Sequence, residues 1–383
     1  MKICQKCIMD DQNDKYIHFD DQGICNYCKD FEDKKKIYTF TNEQVKSNLE
    51  ELKKKISNLK SGEYDLITGI SGGVDSSYLL HLIKKLNLNP LIIHFDNGWN
   101  SELAVTNIKN LLDKTKFDYI TEVIDWNEFK SLQRSFLKAG VVDIEILTDH
   151  AITATLYKYA KRYKIRTIFS GGNFATEQGM PQDWSWQKSD LINIRDINKK
   201  FENIKMSTFP TFDTFNAIIE MFKAKFKLGY WYQKIEPLNL INYKKNDAIN
   251  ILNKEYNWVY YGEKHYESTF TEFYQAYILY KKFKIDKRKP HNSSLIRNGE
   301  LSREDALEKT KLPPYKTNEI ERKKINYFLK KIEMSNNEFQ KILSNVPKRH
   351  LDYRNDYFIF QFLQFYRKYL NPKNVIKKIW KRF

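Results

Sequence analysis

Between residues 64 and 173, short apolar runs alternate with longer stretches of helical periodicity. That alternation predicts an α/β domain built on a parallel sheet. Tyr64 to Ile70 reads as a buried strand, and Gly72-Gly73 break it. Val74 to Lys85 then reads as a helix, with Val74, Tyr78, Leu79, Leu82 and Ile83 near one face. Asn89 to Trp99 (NPLIIHFDNGW) is a second buried strand, and Ser101 caps a helix over Glu102 to Lys114. Tyr119 to Asp125 is a third strand; helices follow over Trp126 to Ala139 and Asp149 to Tyr163. Arg166 to Ser170 is the fourth strand and runs into Gly171-Gly172-Asn173.

Outside this block the texture differs. Residues 31 to 60 are Lys/Glu-rich and carry Val45, Leu49, Leu52, Ile56 and Leu59 at helical spacing, a connection into the central domain. Residues 188 to 230 read as helical and basic, and Gly229 to Leu240 as an added strand. Gly262 to Arg297 reads as a helix with a polar start, ending near Phe283, followed by a basic loop. Residues 347 to 383 hold ten Lys/Arg, two Asp and ten aromatics. There Tyr357, Phe358, Phe362, Phe365, Tyr366 and Tyr369 recur at helical spacing, which suits either a helix packing its aromatics on the domain or peripheral membrane contact.

The first strand end carries the clearest chemistry. A strand, a glycine turn and a helix N-terminus form an anion site, because the first helical amides have no internal partner and the dipole favours negative charge. Ser71, Ser76 and Ser77 add hydroxyls. The Walker Gly-Lys-Ser/Thr is absent, and so is the dinucleotide fingerprint. Ligands of doubly wound sheets sit at the carboxyl ends of strands. His94, Phe95 and Asp96 are therefore placed to meet a nucleoside, Asp96 being equally suited to forming a turn. Gly171, Gly172 and Asn173 face the same crevice. Trp184 and Trp186 suit either a sugar or base platform or a core, the core being preferred.

Charge and cysteines narrow the picture. The 383-residue chain has a net charge of +17, which suits an anionic partner. No stretch has the length and apolarity of a membrane helix and no signal peptide opens it, so a cytoplasmic protein is expected. All four cysteines lie in the spacing C-x2-C-x17-C-x2-C: Cys4, Cys7, Cys25 and Cys28. That spacing predicts a zinc ribbon with a closed, structural shell, an iron–sulfur cluster being the alternative. No cysteine remains to release ammonia from glutamine or to carry sulfur.

The string SGGVDSS resembles the signature of the PP-loop ATP pyrophosphatases, an adenine nucleotide alpha hydrolase-like, Rossmann-like superfamily. The resemblance implies cleavage of ATP to AMP and pyrophosphate. The order of motifs is closer still to one family. An opening CxxC with a late GxCNYC, then SGGVDSS, FDNGW, SGGN and KHxES…FYQAYIL…FxIDKR…HxSSLI resembles the N-acetyl sugar amidotransferases, typified by pseudaminic acid and WbpG-type enzymes of lipopolysaccharide and flagellin-glycan pathways. The resemblance runs to about residue 315. It implies a zinc ribbon over 1–35, a PP-loop domain over 36–180 and a mostly helical substrate-binding and catalytic continuation over 181–315. A basic aromatic helical region over 316–383 lies beyond it.

It implies further that ATP adenylates an acetamido oxygen of an anionic N-acetylated sugar and that ammonia then displaces AMP. Ser71, Gly72, Gly73, Val74, Asp75, Ser76 and Ser77 would hold ATP, with Asp96, Gly171, Gly172 and Asn173 beside it. Asp75 would also be the Mg2+ ligand. Lys287 and Arg288 would neutralise pyrophosphate, and Lys264, His265 and Glu267 would orient the amide or ammonia. A separate glutaminase, with a channel-forming synthase subunit, would supply ammonia, and no nucleic acid partner is expected. A tRNA-modifying thiolase and a catalytically silent nucleotide-binding adaptor are the alternatives. The missing spare cysteine weighs against the first, and the intact Asp75 against the second.

Overall fold

The computed structural model describes residues 1–213 and 232–365. Residues 214–230 of the basic stretch expected to be helical over 188–230, together with Tyr366 and Tyr369, lie outside the described residues. The sheet has five parallel strands: β1 (Leu66–Ile70), β2 (Pro90–Asp96), β3 (Asp118–Val123), β4 (Thr167–Phe169) and β5 (Gln233–Ile235). Their order is β3-β2-β1-β4-β5, so β1 is central and the order reverses beside it. This is the doubly wound arrangement that the alternating pattern predicts, and its crevice lies where the order reverses.

Both faces of β1 are covered, which is why its sequence is apolar rather than alternating. On one face Ile67, Leu91, Ile93 and Ile168 pack against Tyr159 and Ala160 of α6 (Ile146–Arg162). On the other, Leu66 and Phe169 meet Leu79 and Ile83 of α3 (Val74–Lys85) and Leu52 and Ile56 of α2 (Asn42–Leu59). Side-chain caps begin several helices, Ser101 being the one expected from sequence. Thr41 and Gln44 form a capping box on α2. Ser101 caps α4 (Glu102–Thr115), and Asp125 caps α5 (Trp126–Ala139).

A second, larger core is aromatic. It joins Phe129 and Phe136 of α5 to α8 (Leu191–Phe201) and to the helices of the C-terminal half. Among these, α10 (Thr269–Phe273) continues as a π-helix over Tyr274–Phe283, and α13 (Asn318–Ile332) and α14 (Asn336–Ser344) supply Phe328 and Phe339. α9 (Lys245–Tyr256) instead packs on α3. Trp184 is buried in the aromatic core and donates through Nε1 to the Asn13 carbonyl, 2.8 Å away, the core role preferred from sequence. Trp186 stacks on His350 at 5.0 Å. Two structural differences from the expected pattern stand out. The segment expected as a basic loop after Asp286 is α11 (Arg288–Arg297), a helix with Ser293, Ser294 and Arg297 buried. On α15 (Tyr357–Phe365), Phe358 and Phe362 are 81% and 58% exposed, so that helix does not pack all its aromatics inward.

Gly72 shows how tightly the loop after β1 is held. Its φ is +80°, and a Cβ there would lie 2.8 Å from the Ala104 carbonyl of α4. Trp258 Nε1 donates to the Gly72 carbonyl at 3.1 Å. Gly72→Ala combines left-handed strain with a backbone clash and is expected to cost at least about 2 kcal/mol. Gly69→Ala, where the nearest atom is 3.9 Å away, should cost less. Urea midpoints of the two variants check this.

Two core histidines make stability fall in acid. His150 accepts at Nε2 from the Phe212 amide and donates from Nδ1 to the Lys188 carbonyl. His350 accepts from the Asp143 amide and donates to Asn193 Oδ1. Both sets of bonds need the neutral ring, and burial lowers each to about 4 from the ordinary 6.5. Between those values the unfolded chain binds more protons than the folded one. Stability is therefore complete above pH 6.5 and is lost toward pH 4, at about 1.4 kcal/mol per pH unit for each ring. Denaturant curves at pH 7 and pH 5 should differ accordingly, and His350→Asn should flatten the difference.

Candidate active site

At the carboxyl ends of β1, β2 and β4 the fold leaves a cavity of about 680 Å³. Its apolar side is formed by Ile70, Ile93, Phe95, Ile152, Leu156 and Phe169. Ser71, Gly73, Val74, Asp75 and Ser76 enter it from the loop and the first turn of α3. Lys264, His265, Glu267, Thr271, Lys287 and His291 line the same cavity. The stretches expected to hold phosphate and to act on the acceptor, far apart in sequence, thus meet at one site.

The loop amides are only lightly engaged. Ser71 N–H donates to Ser76 Oγ at 3.3 Å, and Gly73 N–H to Ser71 Oγ at 3.2 Å. Val74 N–H donates to the Tyr261 hydroxyl at 3.1 Å. No side chain caps α3. Hydroxyl partners yield readily to a stronger acceptor, so the turn presents donors to an anion. A Cβ on Gly171 would lie 3.3 Å from the Ser76 amide, so the second glycine pair does approach this turn.

Asp75 accepts from the Tyr243 hydroxyl at 2.6 Å and from Thr176 Oγ1 at 3.4 Å, and Lys264 Nζ stands 3.8 Å away. Lys264 also donates to the Thr176 carbonyl at 3.2 Å and meets Glu177 at 3.4 Å. Lys245 donates to the Tyr260 hydroxyl at 2.9 Å; burial pushes its ammonium below the ordinary lysine value against the opposing pull of Asp75. Glu267 lies against the loop, since a Cβ on Gly73 would be 2.8 Å from its Oε1. Its Oε2 is buried without a hydrogen-bond partner. Burial opposes ionisation of Glu267, but the His265 ring prevails and holds it below the usual range. His265 Nδ1 is 3.8 Å from Glu267 Oε1 and has φ +68°, a conformation few side chains adopt.

The far end of the cavity holds Glu145 and Lys287. Burial raises the Glu145 carboxyl, and Asp149 adds to the rise. Burial lowers the Lys287 ammonium, with Glu145 acting against it. His291, half-buried and facing His265 at 5.5 Å, is held neutral by desolvation and by the surrounding cations.

Several expected contacts fall elsewhere. The Arg288 guanidinium is claimed by Asp286 at 2.6 Å and by the carbonyls of Lys309 and Leu312, so it does not line the cavity. Asp96 accepts from the Gly98 amide and Asn100 Nδ2, the turn-forming role, and His94 turns away to bond the Ile70 carbonyl. The reason is strand alternation: Phe95 faces the cavity, so its neighbours cannot. Gly72 points at α4, and Ser77 is fully buried. Gly172 lies beside Glu236 and Glu177, and Asn173 caps α7 (Phe174–Glu177), both behind the wall. Tyr243, Lys245, Tyr261, Lys188 and Glu145 went unremarked in the sequence, because no spacing marks them.

The cysteine cluster is separate and buried. Its four sulfurs lie within 4.8 Å of one another, with Cys4–Cys28 at 3.9 Å and Cys7–Cys25 at 3.7 Å. Tetrahedral zinc with Zn–S bonds of about 2.3 Å separates its sulfurs by about 3.8 Å, so the set fits zinc. Sulfur contact with Cys25 lowers Cys7 to about 7, and the Arg297 charge adds to it. For Mg2+, the donor set is carboxylate: Asp75 at the loop and the unpartnered oxygen of Glu267 suit a hard cation.

Residues 267–368 match the family described as LPS biosynthesis protein WbpG-like, C-terminal domain. No curated protein matches the chain. Among solved structures, NMN synthetase from Francisella tularensis is 18% identical over 36% of this chain and 57% of its own, with a TM-score of 0.30. The chain thus spans little more than half the length of that protein. The NH3-dependent NAD synthetase from Campylobacter jejuni subsp. jejuni NCTC 11168, in complex with the nitrate ion, is 14% identical over 56% of this chain and 93% of its own, with a TM-score of 0.29.

Proposed function

We propose that this protein is an ATP-dependent, AMP-forming amidotransferase acting on an N-acetylated sugar of surface-polysaccharide or flagellin-glycan synthesis. One observation carries the reading. The SGGVDSS turn and side chains from residues 264–291, most of them inside the WbpG-like match, line one cavity. The turn supplies amides and hydroxyls for phosphate. The adjoining segment supplies Lys264 and Lys287 for phosphate charge and His265 and Glu267 for the acceptor. All four cysteines sit in the buried cluster, and none lines the cavity, which disfavours sulfur transfer.

In this reading ATP transfers AMP to the acetamido oxygen and releases pyrophosphate. Ammonia adds to the same carbon, a base removes one proton from the added nitrogen, and AMP leaves with the former amide oxygen. The product is an acetamidino sugar. Lys264 and Lys287 neutralise phosphate charge, while Glu267 and His265 lie where the proton is lost. Asp75 would hold Mg2+, which would supply charge neutralisation for the phosphates. Zinc in the cysteine cluster supplies folding energy rather than chemistry. Ammonia from a separate glutaminase subunit, and membrane contact through the C-terminus, belong to the same proposal.

The test is incubation with ATP, Mg2+, ammonium and a panel of N-acetylated nucleotide sugars and nonulosonic acids. AMP, pyrophosphate and a sugar with NH in place of the amide oxygen are expected together. Thiolated tRNA with no modified sugar would overturn the reading. Asp75→Asn is expected to lower AMP formation by at least about 100-fold. Lys287→Ala should lower it by at least about ten-fold, whereas Arg288→Ala, away from the cavity, should act through stability with little change in kcat of the folded enzyme.

A further inference from the structure

The cysteine cluster and the cavity share a wall. Helix α11 carries Lys287 at its N-cap and His291 in its first turns, both on the cavity. Its other side meets the ribbon. Ser293 Oγ accepts from the Ile8 amide at 3.2 Å, and Lys289 pairs with Asp10. At its end stands Arg297, 3% exposed. Arg297 donates through Nε to the Ser293 carbonyl and through Nη1 to the Gln178 carbonyl, both at 3.0 Å. Its guanidinium lies 5.9 Å from the Phe31 ring of α1 (Asn26–Tyr38), the helix that begins between Cys25 and Cys28. Nη2 is buried with no hydrogen-bond partner.

Gln178 follows directly on α7. Phe174, the first residue of α7, is sandwiched by Phe31 at 4.4 Å and Tyr38 at 4.8 Å. Thr176 and Glu177 of α7 hold Lys264 over Asp75. Arg297 therefore touches α1, α7 and α11 at once. Gly179 leaves room for it, since a Cβ there would lie 2.4 Å from Nη1.

A divalent ion in four thiolates leaves two negative charges in a buried place. A buried cation near them offsets that charge, and Arg297, 3% exposed and packed over Phe31 of the helix that begins between Cys25 and Cys28, is placed to do so. We infer that the four-cysteine centre positions the cavity wall through Arg297, so that metal in the ribbon sets the order of α7 and α11 and of the cavity side chains they carry. Arg297 is a positioning residue, and the inference stands whatever the cavity binds.

Hydrogen exchange of the full chain, zinc-loaded and after chelation, tests it. Peptides covering 174–178 and 288–297 are expected to exchange at least ten-fold faster once the metal is removed, while β1 and β2 stay protected. Arg297→Ala is expected to lose zinc to a competing chelator at about ten-fold lower chelator concentration, with Arg297→Lys between it and the natural protein. Faster exchange confined to residues 1–28, equal loss of protection throughout, or a full chain that binds no zinc would each overturn the inference. Should Arg297→Ala fail to fold, chelation of the natural protein decides the question alone.

Discussion

The contact on which the rest depends is the grip of residues 258–267 on the turn between β1 and α3. A strand that ends in two glycines has no side chain of its own to fix the turn. Here Trp258 bonds the Gly72 carbonyl, Tyr261 takes the Val74 amide and Glu267 lies against Gly73. Three residues from one distant segment thus set the geometry of the donors. The same segment continues into Thr269–Phe283, which anchors it in the aromatic core through Phe270, Phe273 and Tyr274. The phosphate-type turn is therefore not a free-standing motif. Its shape is tied to the packing of the C-terminal half, and a core defect near Phe328 would reach the loop through α10.

This explains what the sequence discloses and what it hides. The four strands over 64–173, the helix start at Ser101 and the glycine turn after the first strand are all local patterns, and each is found where its periodicity or cap places it. The cysteine pairs are likewise local, and their sulfurs converge. The misplaced residues are those whose role depends on a partner. Arg288 looks like a free cation until Asp286, two residues earlier, is seen to claim it. His94 and Asp96 sit on the right strand end, yet alternation turns Phe95 inward instead. Tyr243, Lys245 and Tyr261 come from a stretch with no periodic signal and matter only because α9 packs on α3.

The ribbon shows a related point about small metal domains. Residues 1–35 contribute few apolar side chains, so the cluster of Cys4, Met9, Tyr27 and their neighbours is a core only when the sulfurs are held together. Besides the stacking of Phe31 on Phe174, polar ties join it to the main body. Arg303 donates to the carbonyls of Cys4 and Cys7, and Asn13 to that of Lys284. A domain attached this way transmits its own order to the helices it touches.

Charge within the cavity bears on how an anion could be held there. The chain's +17 suggests a strongly positive site, but the lining tells otherwise. Its carboxylates are Asp75, Glu145, Asp149, Glu177 and Glu267, and its lysines are 188, 234, 245, 264 and 287. Five against five leaves a formal charge of zero, with His291 neutral. A triphosphate adds several negative charges, and a helix N-terminus offsets only about half of one. Binding must then break lysine–carboxylate pairs or bring a cation with it. Lys264 is committed to Asp75 and Glu177, and freeing it leaves both carboxylates exposed to the incoming phosphates. Asp75 is the carboxylate that would hold a divalent cation, and the charge such a cation supplies would offset that repulsion. The charge balance of the lining would then favour a nucleotide accompanied by its metal over the bare one.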